Sequence, residues 1–170
     1  MFSLTETPQK WIELGNRIVL WNIDRGCLGS FDPQLEVSML SEEAREFMLA
    51  PTLAERLQEY ADMVFVWVGT QAKFYSRKVK GFNSLYQHEW EAICDWYKGA
   101  LNFAEGLLIR EMEELGLPHL ELIENALLYV IEANEAKGKE KGPDGKVVKG
   151  PNYVSPLKRI KEDLEEYESK

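Results

Sequence analysis

Cysteine is almost missing from this chain: its 170 residues include two, Cys27 and Cys94. Two cysteines cannot build a disulfide scaffold, and no Cys/His spacing of the metal-binding type surrounds them. The opening Met-Phe-Ser-Leu-Thr-Glu-Thr-Pro has neither a basic start nor an apolar stretch behind it, so no signal peptide is expected. Nowhere does the chain offer the roughly 18 consecutive apolar residues of a membrane-spanning helix. Positive charge is also short, with 20 Lys and Arg against 29 Asp and Glu and a net charge of −9. That balance argues against nucleic acid as the main partner, because phosphate backbones are gripped by clustered cations. It argues equally against an anionic membrane. Hydrophobic residues at 45% and charged residues at 29% are an ordinary globular mixture. The expectation is a cytoplasmic, acidic protein with one domain over residues 1–170, since about 100–200 residues make one.

Helix signals dominate what is present. Thr7-Pro8 reads as an N-cap with proline at the first helical position, and Trp11, Leu14, Ile18 and Trp21, with Leu20 beside them, share a face that Gly26 ends. A second helix opens at Asp32-Pro33 or at Ser41, carries Leu40, Ala44, Phe47 and Met48 inward, and stops before Pro51. Thr52-Leu-Ala-Glu55 is a capping box opening a third helix to about Phe74 or Tyr75. Its run Met63-Val-Phe-Val-Trp-Val68 is apolar on every side, which places it inside a bundle or an oligomer interface. After a polar loop over 77–83, a long helix spans about Leu85 to Leu115, ended by Gly116 and Pro118. Another spans about His119 to Lys137, and a last short helix starts at Ser155-Pro156. No internal repeat is present. The predicted class is all-α: a bundle of about five to six helices, with a long Gly/Pro/Lys-rich loop (138–156) before the C-terminal helix (157–170).

The excess carboxylates are patterned. Glu42-Glu43-Ala-Arg-Glu46 puts Glu43 and Glu46 about 60° apart around one helix axis. Glu59-Tyr-Ala-Asp62 repeats the spacing on the next helix, and the short turn at Pro51 folds the two into an antiparallel hairpin. Two acidic pairs facing each other would repel unless a cation sat among them. Oxygen-only ligands suit Mg²⁺ or Mn²⁺ rather than zinc. A plainer account exists for each pair alone: Glu42 and Glu43 after Ser41 suit the positive end of a helix, and Glu59 with Asp62 suits a solvated face. Asp62 resists that account because it directly precedes the apolar run.

Lys137, Lys139, Lys141, Lys146 and Lys149 crowd one stretch of this acidic chain. Lysines among flexible glycines can fold over a polyphosphate, though they also make an ordinary solvated connector. No Walker-type loop occurs. Carboxylates with magnesium at one end and lysines at the other is the layout that a nucleoside triphosphate needs.

These residues resemble the all-α nucleoside triphosphate pyrophosphohydrolases, the MazG-like superfamily, whose hallmark is E-E-x-x-E followed on the next helix by E-x-x-D. Here those are Glu42-Glu43-Ala-Arg-Glu46 and Glu59-Tyr-Ala-Asp62, and the apolar run from Asp62 ends in Gly69-Thr70, as it does in the family. Asn134-Glu-Ala-Lys137 is similar to the family's N-x-x-K, and Asp144 to Tyr153 with Pro156 is similar to the segment that follows it. The resemblance implies hydrolysis of the α–β phosphoanhydride, giving a monophosphate and pyrophosphate. It implies that Glu43, Glu46, Glu59 and Asp62 hold magnesium and that Glu42, with Glu46, serves the attacking water. It further implies that Lys137, Lys146 and Lys149 meet phosphates, that Asn134 and Tyr153 contact sugar or base, and that the chain assembles as a homodimer or homotetramer. Phosphoribosyl-ATP hydrolysis is the alternative within the superfamily.

Other classes fit less well. A di-iron bundle needs Glu-x-x-His, and neither His88 nor His119 follows such a glutamate. No calcium loop and no dinucleotide fingerprint occur. A catalytically silent helical interaction protein remains the rival from another class. Trp21, Trp67, Trp90 and Trp96 are candidates for stacking on a base, and each also suits core or interface.

Overall fold

A computed structural model describes residues 9–29, 31–76, 84–141, 143 and 147–170. Among them are six α-helices: α1 (Gln9–Asp24), α2 (Pro33–Leu49), α3 (Leu53–Ser76), α4 (Ser84–Glu114), α5 (His119–Glu135) and α6 (Pro156–Glu168). The all-α class holds. The Thr7-Pro8 cap and the 77–83 loop lie outside the described residues. No helix among the described residues is long and apolar enough to cross a membrane.

Local chemistry sets the boundaries. Of the two possible starts for α2, the chain uses Asp32-Pro33, because the Asp32 carboxylate accepts from the backbone N–H groups of Gln34 (3.0 Å) and Leu35 (3.4 Å). Thr52 and Glu55 form the capping box: the Glu55 N–H donates to Thr52 Oγ1 at 3.2 Å and the hydroxyl donates to Glu55 at 2.6 Å. Gly116 (φ 68°) closes α4 in a Schellman arrangement, with Leu117 N–H on the Met112 carbonyl and Gly116 N–H on that of Glu113.

The bundle is built around α3, which touches α1, α2, α4, α5 and α6. That explains its all-round apolar run: Met63, Phe65 and Trp67 are buried, and Val64, Val66 and Val68 pack against the same core. The apolar circumference of α3 is thus largely used within one chain. Gly69 lets α1 come close, since a Cβ there would stand 3.0 Å from Asn22 Nδ2. Thr70, next in line, donates to the buried Glu36 at 2.5 Å, and Lys73 meets the same carboxylate at 2.8 Å.

Two inward expectations are corrected. Met48 is 64% and Leu20 56% exposed, each falling just off the buried stripe of its helix. The basic stretch is also not a plain loop. β1 (Lys137–Lys141) and β2 (Val147–Lys149) pair antiparallel, Lys137 opposite Lys149 and Lys141 opposite Val147, with an irregular register between.

Candidate functional site

Glu43 and Glu59 lie equally far from Pro51, on either side of the turn that joins α2 to α3. Arg56 anchors that turn: it donates to the Ala50 carbonyl at 3.0 Å and grips Glu111 of α4 through Nε and Nη2. Across the hairpin, one carboxylate oxygen from each of Glu43, Glu46 and Glu59 comes within 4.8 Å of the other two. Glu43 and Glu59 are half-buried and Glu46 is exposed. Asp62, also half-buried, follows Glu59 by one turn and feels the charges of Glu59 and Glu46. Glu42 is exposed and adds its charge to the field at Glu43.

This crowding is unfavourable for four ionised acids. Burial, then repulsion from Asp62, Glu46, Glu59 and Glu42, pushes the Glu43 carboxyl up to about 8. Burial, with Glu46 and Glu55, pushes Glu59 up to about 7. Asp62 is raised to about 7 by burial and Glu59, against the pull of Lys137. Tyr97 is stacked on Trp67 with ring centroids 5.3 Å apart, and it donates to the Met63 carbonyl at 3.2 Å. Burial and the charges of Glu43 and Asp62 push its hydroxyl well above the usual phenol range.

The cations approach from the end of α5. Lys137 donates to Asn134 Oδ1 at 3.1 Å, while Asn134 Nδ2 donates to the Val130 carbonyl at 2.9 Å. The Asn134 amide is therefore engaged at both ends and orients Lys137. Burial lowers the Lys137 pKa; Asp62 and Glu43 act against that, while Lys149 and Arg25 add to it. Lys149 sits opposite Lys137 across the strands, a like-charge pairing that costs stability by itself. Its ammonium lies 4.8 Å over the ring of Tyr153. Lys146 lies outside the described residues.

Two contributors escape the sequence patterns. Trp21 Nε1 donates to the Asn134 carbonyl at 2.9 Å, and Arg25 Nη2 donates to the carbonyls of Lys137 (2.8 Å) and Asn134 (3.3 Å). They satisfy carbonyls where α5 ends and so fix the residues that aim Lys137. The guanidinium of Arg25, the first residue past α1, lies 4.1 Å over the ring of Trp21 in the last turn of that helix. Nothing local to α1 points to the end of α5, so the sequence conceals the link. Beside them runs an open groove of about 310 Å³ lined by Arg17, Leu20, Trp21, Asp24, Arg25 and Glu135. Trp67 and Trp90 are core residues at 4% and 3% exposure, whereas Trp96 stands on the outside of α4. Compared with models of known protein families, with curated proteins and with solved structures, the chain gives no match.

Proposed function

We propose that the chain is a Mg²⁺- or Mn²⁺-dependent nucleoside triphosphate pyrophosphohydrolase, acting in control or cleansing of the nucleotide pool. The observation that carries this reading is the meeting of Glu43, Glu46 and Glu59 across the hairpin, with Asp62 beside them and within the field of Lys137. The donor set is all oxygen, which fits a hard divalent cation. When bound, such a cation polarises phosphoryl oxygens and acidifies water.

Within this reading, Glu43, Glu46, Glu59 and Asp62 hold the metal, and the exposed Glu42 faces the entering water with Glu46. Lys137 and Lys149 bind the phosphates, whose negative charge relieves the pairing of two ammonium groups across the hairpin. Asn134 holds Lys137 in place, and Tyr153, under Lys149, lies toward the sugar or base.

The test is pyrophosphate release from ribo- and deoxynucleoside triphosphates, and from phosphoribosyl-ATP, with Mg²⁺. Turnover is expected on at least one nucleoside triphosphate. Glu46→Gln and Asp62→Asn should each lower kcat on the order of 100-fold or more while the helical circular dichroism stays unchanged. Lys149→Ala should raise KM more than it lowers kcat. Absence of turnover on every substrate would leave a non-catalytic interaction protein as the better account.

A further inference from the structure

The groove beside the end of α5 takes no part in the proposed catalysis. Its volume of about 310 Å³ reaches the size at which small-molecule sites begin, roughly 300 Å³. None of the acids of the α2–α3 hairpin lines it, and neither does Lys137 or Lys149. Its charges cancel, Arg17 and Arg25 against Asp24 and Glu135, so a highly charged ligand of either sign gains little there. The Trp21 ring is already covered, by Arg25 over one face and by Phe65 packed at 77° to it with centroids 5.2 Å apart. The flat surface that remains is the Arg25 guanidinium, and guanidinium planes stack on aromatic rings. Arg25 Nε is buried with no hydrogen-bond partner among the described residues, a donor whose acceptor the chain does not supply. Arg17 meets Glu135 at 2.8 Å in an exposed bridge, which is worth little in water and can open to the edge of a ligand. Leu20, 56% exposed, adds an apolar wall.

We propose that this groove is a second ligand site, for an uncharged planar ring with donors and acceptors along its edge: a nucleobase or a nucleoside. The ring stacks on Arg25 against Leu20. Arg17 donates to its carbonyl oxygens, while Glu135 and Asp24 accept from its amino and ring N–H groups. A triphosphate on the same ring would bring its charge beside Asp24 and Glu135, so the uncharged form is the better ligand. The groove is also coupled to the phosphate site. Arg25 shapes it only while lying on Trp21, and in that position Arg25 also donates to the carbonyls of Asn134 and Lys137. One arrangement therefore serves both sites, and each ligand favours the other. The coupling rests on the proposed binding of phosphates by Lys137, whereas the groove itself does not.

Titration of the full chain in chelator with adenosine, guanosine, cytidine, uridine, thymidine and their free bases, followed by nuclear magnetic resonance, tests the groove without any need for turnover. At least one should bind saturably at about 10–500 µM, move the Trp21 indole N–H signal, and bind more tightly than its own 5′-monophosphate. Arg17→Ala removes only an exposed ion pair from the fold, so helical circular dichroism should stay unchanged while that binding weakens at least about tenfold. Calorimetry with inorganic triphosphate and Mg²⁺ reads the coupling: a saturating nucleoside should tighten triphosphate binding about fivefold. Absence of saturable binding would overturn the site, as would binding indifferent to Arg17→Ala. Displacement of the nucleoside by its own triphosphate but not by inorganic triphosphate would overturn it too, because the groove would then be the base end of the substrate pocket. A triphosphate affinity indifferent to the nucleoside would overturn the coupling.

Discussion

At Glu43 every neighbouring charge that matters has the same sign. Burial comes first, and Asp62, Glu46, Glu59 and Glu42 follow, so the carboxyl keeps its proton up to about 8 instead of 4.5. Between those two values the folded chain holds a proton that the unfolded chain has released. Folding stability therefore falls as pH rises through that window, and Glu59 and Asp62, both raised to about 7, act in the same direction. Removing the charge should help the metal-free protein. In the presence of a chelator, Glu43→Gln should raise Tm by several degrees at pH 8, at roughly 2–4 °C per kcal/mol for a chain of this size. The gain should shrink towards pH 5, and thermal melts followed by circular dichroism at the two pH values measure it. A variant whose melting follows the wild-type pH profile would show that the repulsion at Glu43 is unimportant. This residue was legible in advance, because helical spacing and a short turn suffice to bring two acidic pairs face to face. Arg25 and Trp21 were not, since they act on carbonyls of a helix that tertiary packing alone brings near.

The hairpin of β1 and β2 is the element that the sequence hid. Lys, Gly and Glu from 137 to 141 carry little of the β-branched or aromatic character that marks a strand, and only Val147-Val148 hints at one. Backbone pairing forms it all the same, and its closing residue shows how tightly. A Cβ on Gly150 would stand 2.7 Å from the backbone carbonyl oxygen of Ala136, an atom that cannot swing aside as a side chain can. Gly150→Ala should therefore loosen β2 from the end of α5 while leaving the helices in place. Hydrogen exchange should show faster amides at Val147–Lys149, with those of α3 and α5 unchanged. Unaltered exchange in β2 would mean that the strand shifts to admit the methyl group without cost. The helices themselves were easier to read. Thr52 with Glu55, Asp32 with Pro33, and Gly116 are boundary signals whose chemistry is complete within a few residues, so no distant contact is needed to interpret them.

Across the whole molecule, the α2–α3 hairpin carries carboxylates at both ends, and they are treated differently. Near the turn Glu43, Glu46, Glu59 and Asp62 crowd one another. At the far end Glu36 is buried at 1% exposure, yet it is fully served by the Thr70 hydroxyl at 2.5 Å and the Lys73 ammonium at 2.8 Å. The fold can therefore neutralise a buried acid when the acid has only to hold two helices together. Near the turn the half-buried Glu43, Glu59 and Asp62 crowd one another and the exposed Glu46, and Lys137 offsets that repulsion at Asp62 without removing it; this costs stability, and the contrast supports the proposed role. The Glu36 pair was illegible in the sequence, because Glu36 reads as a first-turn acid of α2 and its partners lie on α3. Its contribution can be separated from its burial. Lys73→Met should destabilise the protein by about 3 kcal/mol, since it strands a buried carboxylate with one hydroxyl donor. The double variant Glu36→Met with Lys73→Met removes charge and partner together, and it should recover most of that loss. Urea unfolding of the four proteins of this cycle measures both terms. Because α3 packs against every other helix, each curve should show one transition rather than two. A double variant as unstable as Lys73→Met alone would show that Glu36 works through its shape and its bond to Thr70 rather than through its charge.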